Sequence, residues 1–583
     1  MKNAVAETSY SGIAYVQGEA SGEVIASGLE LSFWGGVDPG SGEVIDRHHP
    51  LSGRILGGKI LAIPGGRGSC SGSGVILELL LNGKGPKGMI VERKDDIMTL
   101  GVVIAEEVFG VSIPVVTLDP SDFRNVLSSG YVEIKGNQVR CDARAPGKDR
   151  RDDAGINHGG FPVELSEVDR QFLDGSYGKA AQAAIKIILR MAQLQGARQL
   201  MDVSQVHIDG CIYTGPGSLA FARQLRDWGA KVAVPATLNS ISVDYRRWRA
   251  HGLDPAFGVP ASQLGDAYTD MGARPTFTCA PYLLDTAPSR GEQIAWAESN
   301  AVVYANSVLG ARTMKYPDFL DICIALTGRA PLAGCHVDMN RLAKLRVNIH
   351  EVGRVDDAFY PLLGYHVGML AANLIPVIVG LEDAAPTHDD LKAFGAAFAT
   401  VSSAPMFHIV GVTPEANTLE SAIGQGTDVT SIDLKLSDLI ESWNALNSAH
   451  EEKVDLVSLG NPHFSATEFG KLAELCRGKT KHRDVSIIVT SGRAVLEQPN
   501  VAGFKVDLEA FGIQFITDTC WCMITEPLIP ATATSIMTNS GKYAHYGPGL
   551  TGRRFHFGSL SDCVEAAETG FRRGERPEWL RAD

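Results

Sequence analysis

Hydrophobic and polar positions follow two regimes along this chain. Through residue 142 the apolar runs are short: "GIAYVQ", "GEVIA", "KILAIP", "GMIVER" and "PVVTL". Each is bounded by Gly, Pro or Asp, which predicts β-strands separated by turns. Two stretches between them, "SGVILELLLNG" and "LGVVIAEEVFG", have helical length and composition. Residues 142–161, "DARAPGKDRRDDAGINHGGF", hold almost nothing apolar and read as a linker. The expected division is a β-rich domain over 1–142, a linker over 143–161 and a larger domain over 162–583.

The larger part opens on a predicted helix. Ser166 is placed to cap it with Asp169 three residues on. Ala181, Ala184, Ile185, Ile188, Leu189 and Ala192 then form a single apolar face, and Gly196 supplies the stop. Beyond it, strand-like runs "KVAVPAT", "LIPVIVGL", "VDLVSLG" and "VSIIVTSG" alternate with helical stretches, one of them capped by Ser465 and Glu468. This is the pattern of an α/β fold with largely parallel sheets. Such folds bind ligands at the loops beyond the carboxyl ends of their strands.

Composition narrows the class. At 583 residues the chain exceeds a single core. Its 63 glycines, about 11 % of the chain, favour a loop-rich α/β protein over a helical bundle. A net charge of −14 argues against nucleic-acid binding. No apolar run is long enough to span a bilayer, and "MKNAVAETSYSG" lacks the apolar centre of a secretory signal, so no membrane partner and a cytoplasmic location are expected. Ten cysteines, none in a C-x-x-C, fit neither a disulfide scaffold nor a zinc ribbon. Nothing decides whether the chain forms a homo-oligomer.

One loop concentrates candidate chemistry. "GGRGSCSGSG" follows the strand "KILAIP" and precedes the helix "VILELLL". Its backbone N–H groups and the helix dipole would favour an anion. A P-loop would need a Lys that is absent. A nucleophile elbow would centre on Cys70 and make a cysteine hydrolase. A serine base, held as an alkoxide by the N–H groups, is a third reading. A plain tight turn is the fourth. The loop alone does not choose.

Other motifs bear on the choice. "LSFWGGVDPGSGEVIDRHHPLSG" and "GGRGSCSGS" resemble the small, swivelling component of the aconitase X family. "VPATLNSISVD", "TFTCAPY", "AWAESNAVVYANSVLGART", "FHIVGVTPEA", "SLGNPH", "DTC" and "NSGKYAHYGPG" resemble its large component, in order along the chain. The resemblance implies an aconitase-like α/β fold: an N-terminal β-rich swivelling domain and a large multi-subdomain α/β/α catalytic domain. The small part fused ahead of the large one is the layout of bacterial members that dehydrate cis-3-hydroxy-L-proline. The two-subunit archaeal members include phosphomevalonate dehydratase, the alternative substrate class. A non-catalytic iron-binding protein is the second alternative.

The resemblance also implies site residues. A small hydroxyproline substrate would lose its C2 proton to Ser69, with Ser71 as the other candidate base. The serine would come from the small domain and an iron–sulfur cluster, the Lewis acid, from the large one. The cluster would be held by three cysteines, Cys279, Cys520 and Cys563, with Cys522 as a rival two residues from Cys520. By resemblance [2Fe-2S] is favoured over [4Fe-4S] or a single iron. Lys542 would assist catalysis. Arg67 and Arg312 are candidate carboxylate forks, and Glu298, Asn306 and Ser307 lie in the densest motif as candidate substrate-binding groups. His207, His408 and His463 follow apolar runs, and for each a structural role is the ordinary expectation.

Overall fold

The computed structural model describes residues 8–46, 49–142, 162–350, 353–572 and 576–581; the linker expected over 143–161 lies outside them. The chain divides into two compact units. The first comprises Met1–Asp202, Thr214–Val234 and Tyr316–Ala333, the second Val203–Tyr213, Pro235–Lys315 and Gly334–Asp583.

In the first unit an eight-stranded sheet runs in the order Thr8–Ser11, Gln138–Cys141, Tyr131–Lys135, Glu19–Ala26, Ile60–Ile63, Gly88–Val91, Val115–Thr117, Ile13–Val16. Two inner strands, Ile60–Ile63 and Gly88–Val91, are buried along their whole length, which is why they read as unbroken apolar runs. Helices Gly72–Leu81 and Asp96–Phe109 fall on the two stretches of helical length. They pack so closely that a Cβ on Gly101 would sit 2.7 Å from the Ser73 carbonyl oxygen.

The single helix expected from Ser166 to Gly196 is two. Glu167–Leu173 carries the Ser166–Asp169 capping box, and Lys179–Gln195 carries the apolar face and ends at a left-handed Gly196. Between them "DGSYG" breaks the helix, with Gly175 and Gly178 both at positive φ. Asp169 also takes a two-nitrogen contact from Arg329, at 2.8 and 3.3 Å. The expected strand "KVAVPAT" is shorter than its apolar run, only Ala236–Leu238. Pro235 has no N–H to give a ladder, and pairing begins after it.

The second unit contains three parallel sheets: three strands ordered Ala236–Leu238, Val206–Ile208, Ala295–Trp296; four ordered His408–Ile409, Pro376–Val379, Leu345–Ile349, Thr430–Leu434; and five ordered Gln514–Thr517, Ser486–Ser491, Leu456–Leu459, Ser535–Thr538, Arg554–Phe557. In the five-stranded sheet the chain steps outward from Leu456–Leu459 to one edge, then returns to Ser535–Thr538 and steps to the other. The loops leaving Leu456–Leu459 and Ser535–Thr538 therefore diverge at a topological switch point, where such sheets open a crevice.

Candidate active site

Three buried thiols gather at that switch point. Cys279 lies in the loop between helix Pro255–Asp270 and the short helix Pro281–Leu283, and Cys520 and Cys522 lie beyond Gln514–Thr517. Trp521, between the last two, is buried and donates its indole N–H to the Leu459 carbonyl at 2.7 Å. The loop leaving Leu456–Leu459 reaches two of the sulfurs. The His463 backbone N–H donates to Cys279 Sγ at 3.4 Å, and Asn461 Nδ2 donates to Cys522 Sγ at 3.6 Å.

Lys542 joins them from the first turn of Gly541–Thr551, the helix that follows Ser535–Thr538. Its ammonium donates to Glu298 Oε1 at 3.0 Å. Glu298 is the N-cap of Ser299–Tyr304 and also accepts the N–H groups of Ser299 and Asn300 and the Asn300 side-chain amide. Burial alone would push its carboxyl up, but Lys542 and the Asn300 donors outweigh this and hold it below the usual carboxylate range. Burial likewise opposes the Lys542 charge; Glu298, Cys522, Cys520 and Cys279 more than offset it and raise the lysine well above its ordinary value. Burial drives the Cys279 thiol up. Cys520 is also raised, because its S–H donates to Cys522, and the same bond lowers Cys522.

The loop singled out in the sequence lies in the first unit. Ser69 is half-buried, whereas Ser71, Ser73 and Cys70 are buried. Ser69 Oγ donates to Ser71 Oγ at 3.3 Å and accepts the Ser71 backbone N–H at 3.3 Å, just ahead of helix Gly72–Leu81. Ser73 Oγ is used by the carbonyls of Cys70 and Asp318, at 3.2 and 3.1 Å. A buried Cys70 cannot serve as the exposed nucleophile of an elbow. Arg67 has one terminal nitrogen 3.0 Å from Asp46 Oδ2.

The structure does not bring every candidate to the thiols. Cys563 is packed in a hydrophobic core with Val457, Met537, Leu560 and Val564, and its charged neighbours are Asp562, Asp357 and Arg572. Asn306 spends its amide on the carbonyls of Thr313 and Pro405 and accepts from Thr313 N–H and Arg341. Ser307 Oγ accepts the Phe407 N–H at 2.9 Å. Arg312 pairs with Asp338. Glu298, by contrast, stands with Lys542 beside the thiols. His408 bonds the Arg341 carbonyl at 2.8 Å, and His207 bonds Thr237 at 2.8 Å. What single residues did not signal is the part played by Asn461 and His463: "SLGNPH" marked the segment without saying that it touches sulfur.

The donor set suits a soft, thiophilic metal centre. Three thiols stand around one cation, none of the ten cysteines is in a disulfide, and Asn461 Oδ1, Thr519 Oγ1 and Ser458 Oγ nearby are buried without a hydrogen-bond partner. Among the described residues no three His, Cys, Asp or Glu side chains are spaced to hold one metal ion between them. A polynuclear cluster, whose thiolates ligate different irons, does not need that spacing.

A parallel α/β domain with thiols and an ammonium at its switch point, in one chain with a β-rich domain bearing a serine on a strand-to-helix loop, is the arrangement expected of an aconitase-like hydro-lyase. Family models described as the aconitase X swivel, first, second and third domains match residues 9–141, 162–339, 343–444 and 454–569. The chain belongs to the aconitase X family. It is 61 % identical over 569 residues to a cis-3-hydroxy-L-proline dehydratase of Hypocrea jecorina, covering 96 % of each chain. It is 53 % identical over 570 residues to the cis-3-hydroxy-L-proline dehydratase of Pseudomonas aeruginosa, covering 97 % of this chain and 98 % of that one. The crystal structure of Thermococcus kodakaraensis aconitase X in its holo-form is similar with a TM-score of 0.62 at 30 % identity, over 70 % of this chain and 100 % of that one. Among the described residues no helix is long and apolar enough to cross a membrane.

Proposed function

We propose that this chain dehydrates cis-3-hydroxy-L-proline to Δ1-pyrroline-2-carboxylate. The substrate rests on the 61 % and 53 % identity to enzymes of that name over nearly the whole chain. The observation that carries the chemistry is the set of buried thiols around the Lys542–Glu298 pair at the switch point. In the reaction the C2–H and C3–O bonds break, the C2=C3 bond forms, and water leaves; the proton on nitrogen then moves to C3 and the enamine becomes the imine.

Cys279, Cys520 and Cys522 would hold an iron–sulfur cluster, and [2Fe-2S] is the type we favour. Bound there, it would supply Lewis acidity toward the departing hydroxyl. Cys522 replaces Cys563 in this assignment because the loop that reaches Cys279 through His463 also reaches Cys522 through Asn461, whereas Cys563 is packed in a hydrophobic core. Lys542 holds a fixed positive charge that balances the thiolates and opposes the negative charge growing on the leaving oxygen. Its raised pKa suits it to that role better than to proton donation. Ser69 takes the C2 proton. The Ser71 N–H and the amino end of Gly72–Leu81 stabilise the oxyanion, and the Ser71 hydroxyl can turn to donate to it. Ser69 is preferred to Ser71 because Ser71 is 1 % exposed. Arg67, in the same loop, is assigned to the substrate carboxylate through the nitrogens that Asp46 leaves free.

The test is anaerobic purification, iron and sulfide analysis, and assay on cis-3-hydroxy-L-proline for a product lighter by one water. Cys279→Ala, Cys520→Ala and Cys522→Ala should each lose iron, and Cys563→Ala should retain it. Full iron with no turnover would overturn the substrate. Turnover without iron and sulfide would overturn the cluster.

A further inference from the structure

Cys279 and Cys520 come from loops about 240 residues apart in sequence, and two flexible loops do not hold sulfurs at a fixed separation unaided. One side chain ties them. The His463 ring is fully buried, with Nδ1 3.0 Å from Thr278 Oγ1 and Nε2 2.8 Å from the Thr519 carbonyl oxygen. Thr278 precedes Cys279 and Thr519 precedes Cys520, so the imidazole spans the two thiol-bearing turns one residue upstream of each sulfur. The bonding pattern fixes the tautomer. Nε2 faces a carbonyl and must carry the proton; Nδ1 then accepts from the Thr278 hydroxyl, whose oxygen in turn accepts the Ala280 N–H at 3.1 Å.

The same residue reaches sulfur through its backbone, N–H to Cys279 Sγ, and two residues before it Asn461 reaches Cys522. Its carbonyl accepts from the buried Lys392 ammonium at 3.3 Å, and Lys392 is itself held by Glu468 and Asp389. Gly492 packs closely on Thr278: a Cβ there would lie 3.0 Å from Thr278 Oγ1 and 3.8 Å from His463 Nδ1.

We propose that His463 is the positioning residue of the thiol cluster, a clamp that sets the Cys279-to-Cys520 separation. This rests on the assignment of those thiols to the iron–sulfur centre. Both ring nitrogens are spent on Thr278 and Thr519, so the clamp acts through the two turns. Its loss should therefore show as weaker retention of iron, not as a pure loss of turnover.

The experiment compares the anaerobically loaded wild-type chain with His463→Phe, His463→Gln and Thr278→Val. The readouts are iron per chain after challenge with a chelator, the visible absorption and paramagnetic spectra, and far-ultraviolet circular dichroism. His463→Phe keeps the ring and loses both hydrogen bonds; iron should leave it about 10–100-fold faster with an altered spectrum and unchanged circular dichroism. His463→Gln keeps an N–H for the Thr519 carbonyl and should be intermediate. Equal retention and an identical spectrum in His463→Phe would overturn the clamp. Should that variant not fold, Thr278→Val decides on the same terms: faster iron loss supports the clamp and wild-type retention overturns it. Wild-type protein that binds no iron would sink the cluster assignment. The clamp would then stand or fall on whether the same variants speed alkylation of Cys279 and Cys520 in the metal-free chain, mapped by mass spectrometry.

Discussion

At the scale of the residue, the Lys542–Glu298 pair has a large energetic consequence. Both groups are buried, and each keeps the other ionised. Breaking a buried pair from one side leaves an uncompensated charge, which costs about 3–5 kcal/mol. Lys542→Met in metal-free protein should lose stability by that order in urea unfolding, and adding Glu298→Gln should restore most of it. The direction of the pKa shifts gives the pH window. Glu298 is depressed in the fold, so its contribution is complete above its ordinary value of 4.5 and is lost as pH falls through the folded value. Lys542 is raised, so its contribution is complete below 10.5 and is lost as pH rises through the folded value. In the single variant Glu298 loses the charge that opposes its burial, so its carboxyl moves up and the deficit should be largest at high pH and shrink as pH falls and the acid protonates. A double variant no more stable than Lys542→Met would show that the deficit is lost packing rather than the stranded carboxylate.

At the scale of the element, helix Leu560–Thr569 carries a carboxylate at an unfavourable setting. Asp357 accepts the Leu560 N–H at 3.0 Å. Burial, followed by the neighbouring Asp356, nevertheless pushes its carboxyl up to about 6, against the pull of that N–H and of Lys471. The sign is opposite to that of Glu298. The folded state prefers the protonated acid, so stability is greatest in acid and falls as pH rises from about 4 through about 6. Asp357→Asn keeps the acceptor for Leu560 and removes the charge. It should gain of order 1–3 kcal/mol at pH 8 and almost nothing at pH 4, measured by thermal unfolding; a gain equal at both values would mean that ionisation is not the cause. Elements of this kind differ in how far the sequence announces them. The capping boxes at Ser166 and Ser465 and the apolar runs of the inner strands were legible because local chemistry makes them. The break at "DGSYG" was hidden because a good cap at Ser166 and a good stop at Gly196 bracket both helices as if they were one, and the hairpin of Tyr131–Lys135 and Gln138–Cys141 by its many polar residues. The three-stranded sheet has strands of two or three residues, below any period a sequence can display.

At the scale of the whole molecule, the first compact unit takes two later segments of chain, Thr214–Val234 and Tyr316–Ala333, that no composition break marks. Apolar packing draws them in: the helix Lys179–Gln195 lies against both Asp96–Phe109 and Leu320–Thr327. The same non-local folding explains why the family motifs located Cys279, Cys520, Lys542 and Glu298, while only the fold could tell Cys522 from Cys563 as their neighbour. The division also separates the proposed chemistry. Cys279, Glu298, His463, Cys520, Cys522 and Lys542 all belong to the second unit, and Arg67 and Ser69 to the first. Each set takes its hydrogen bonds from its own unit, so the two should fail independently. Ser69→Ala should leave iron content and the visible spectrum unchanged while kcat falls about 10²–10⁴-fold, the range a positioned base supplies. Ser71→Ala, which removes only the partner of the Ser69 hydroxyl, should cost less. Cys279→Ala should lose iron and activity together. If Ser69→Ala turned over substrate at the wild-type rate with its iron intact, the base would have to be sought elsewhere; if it lost iron as well, the two sets of residues would be one construction and not two.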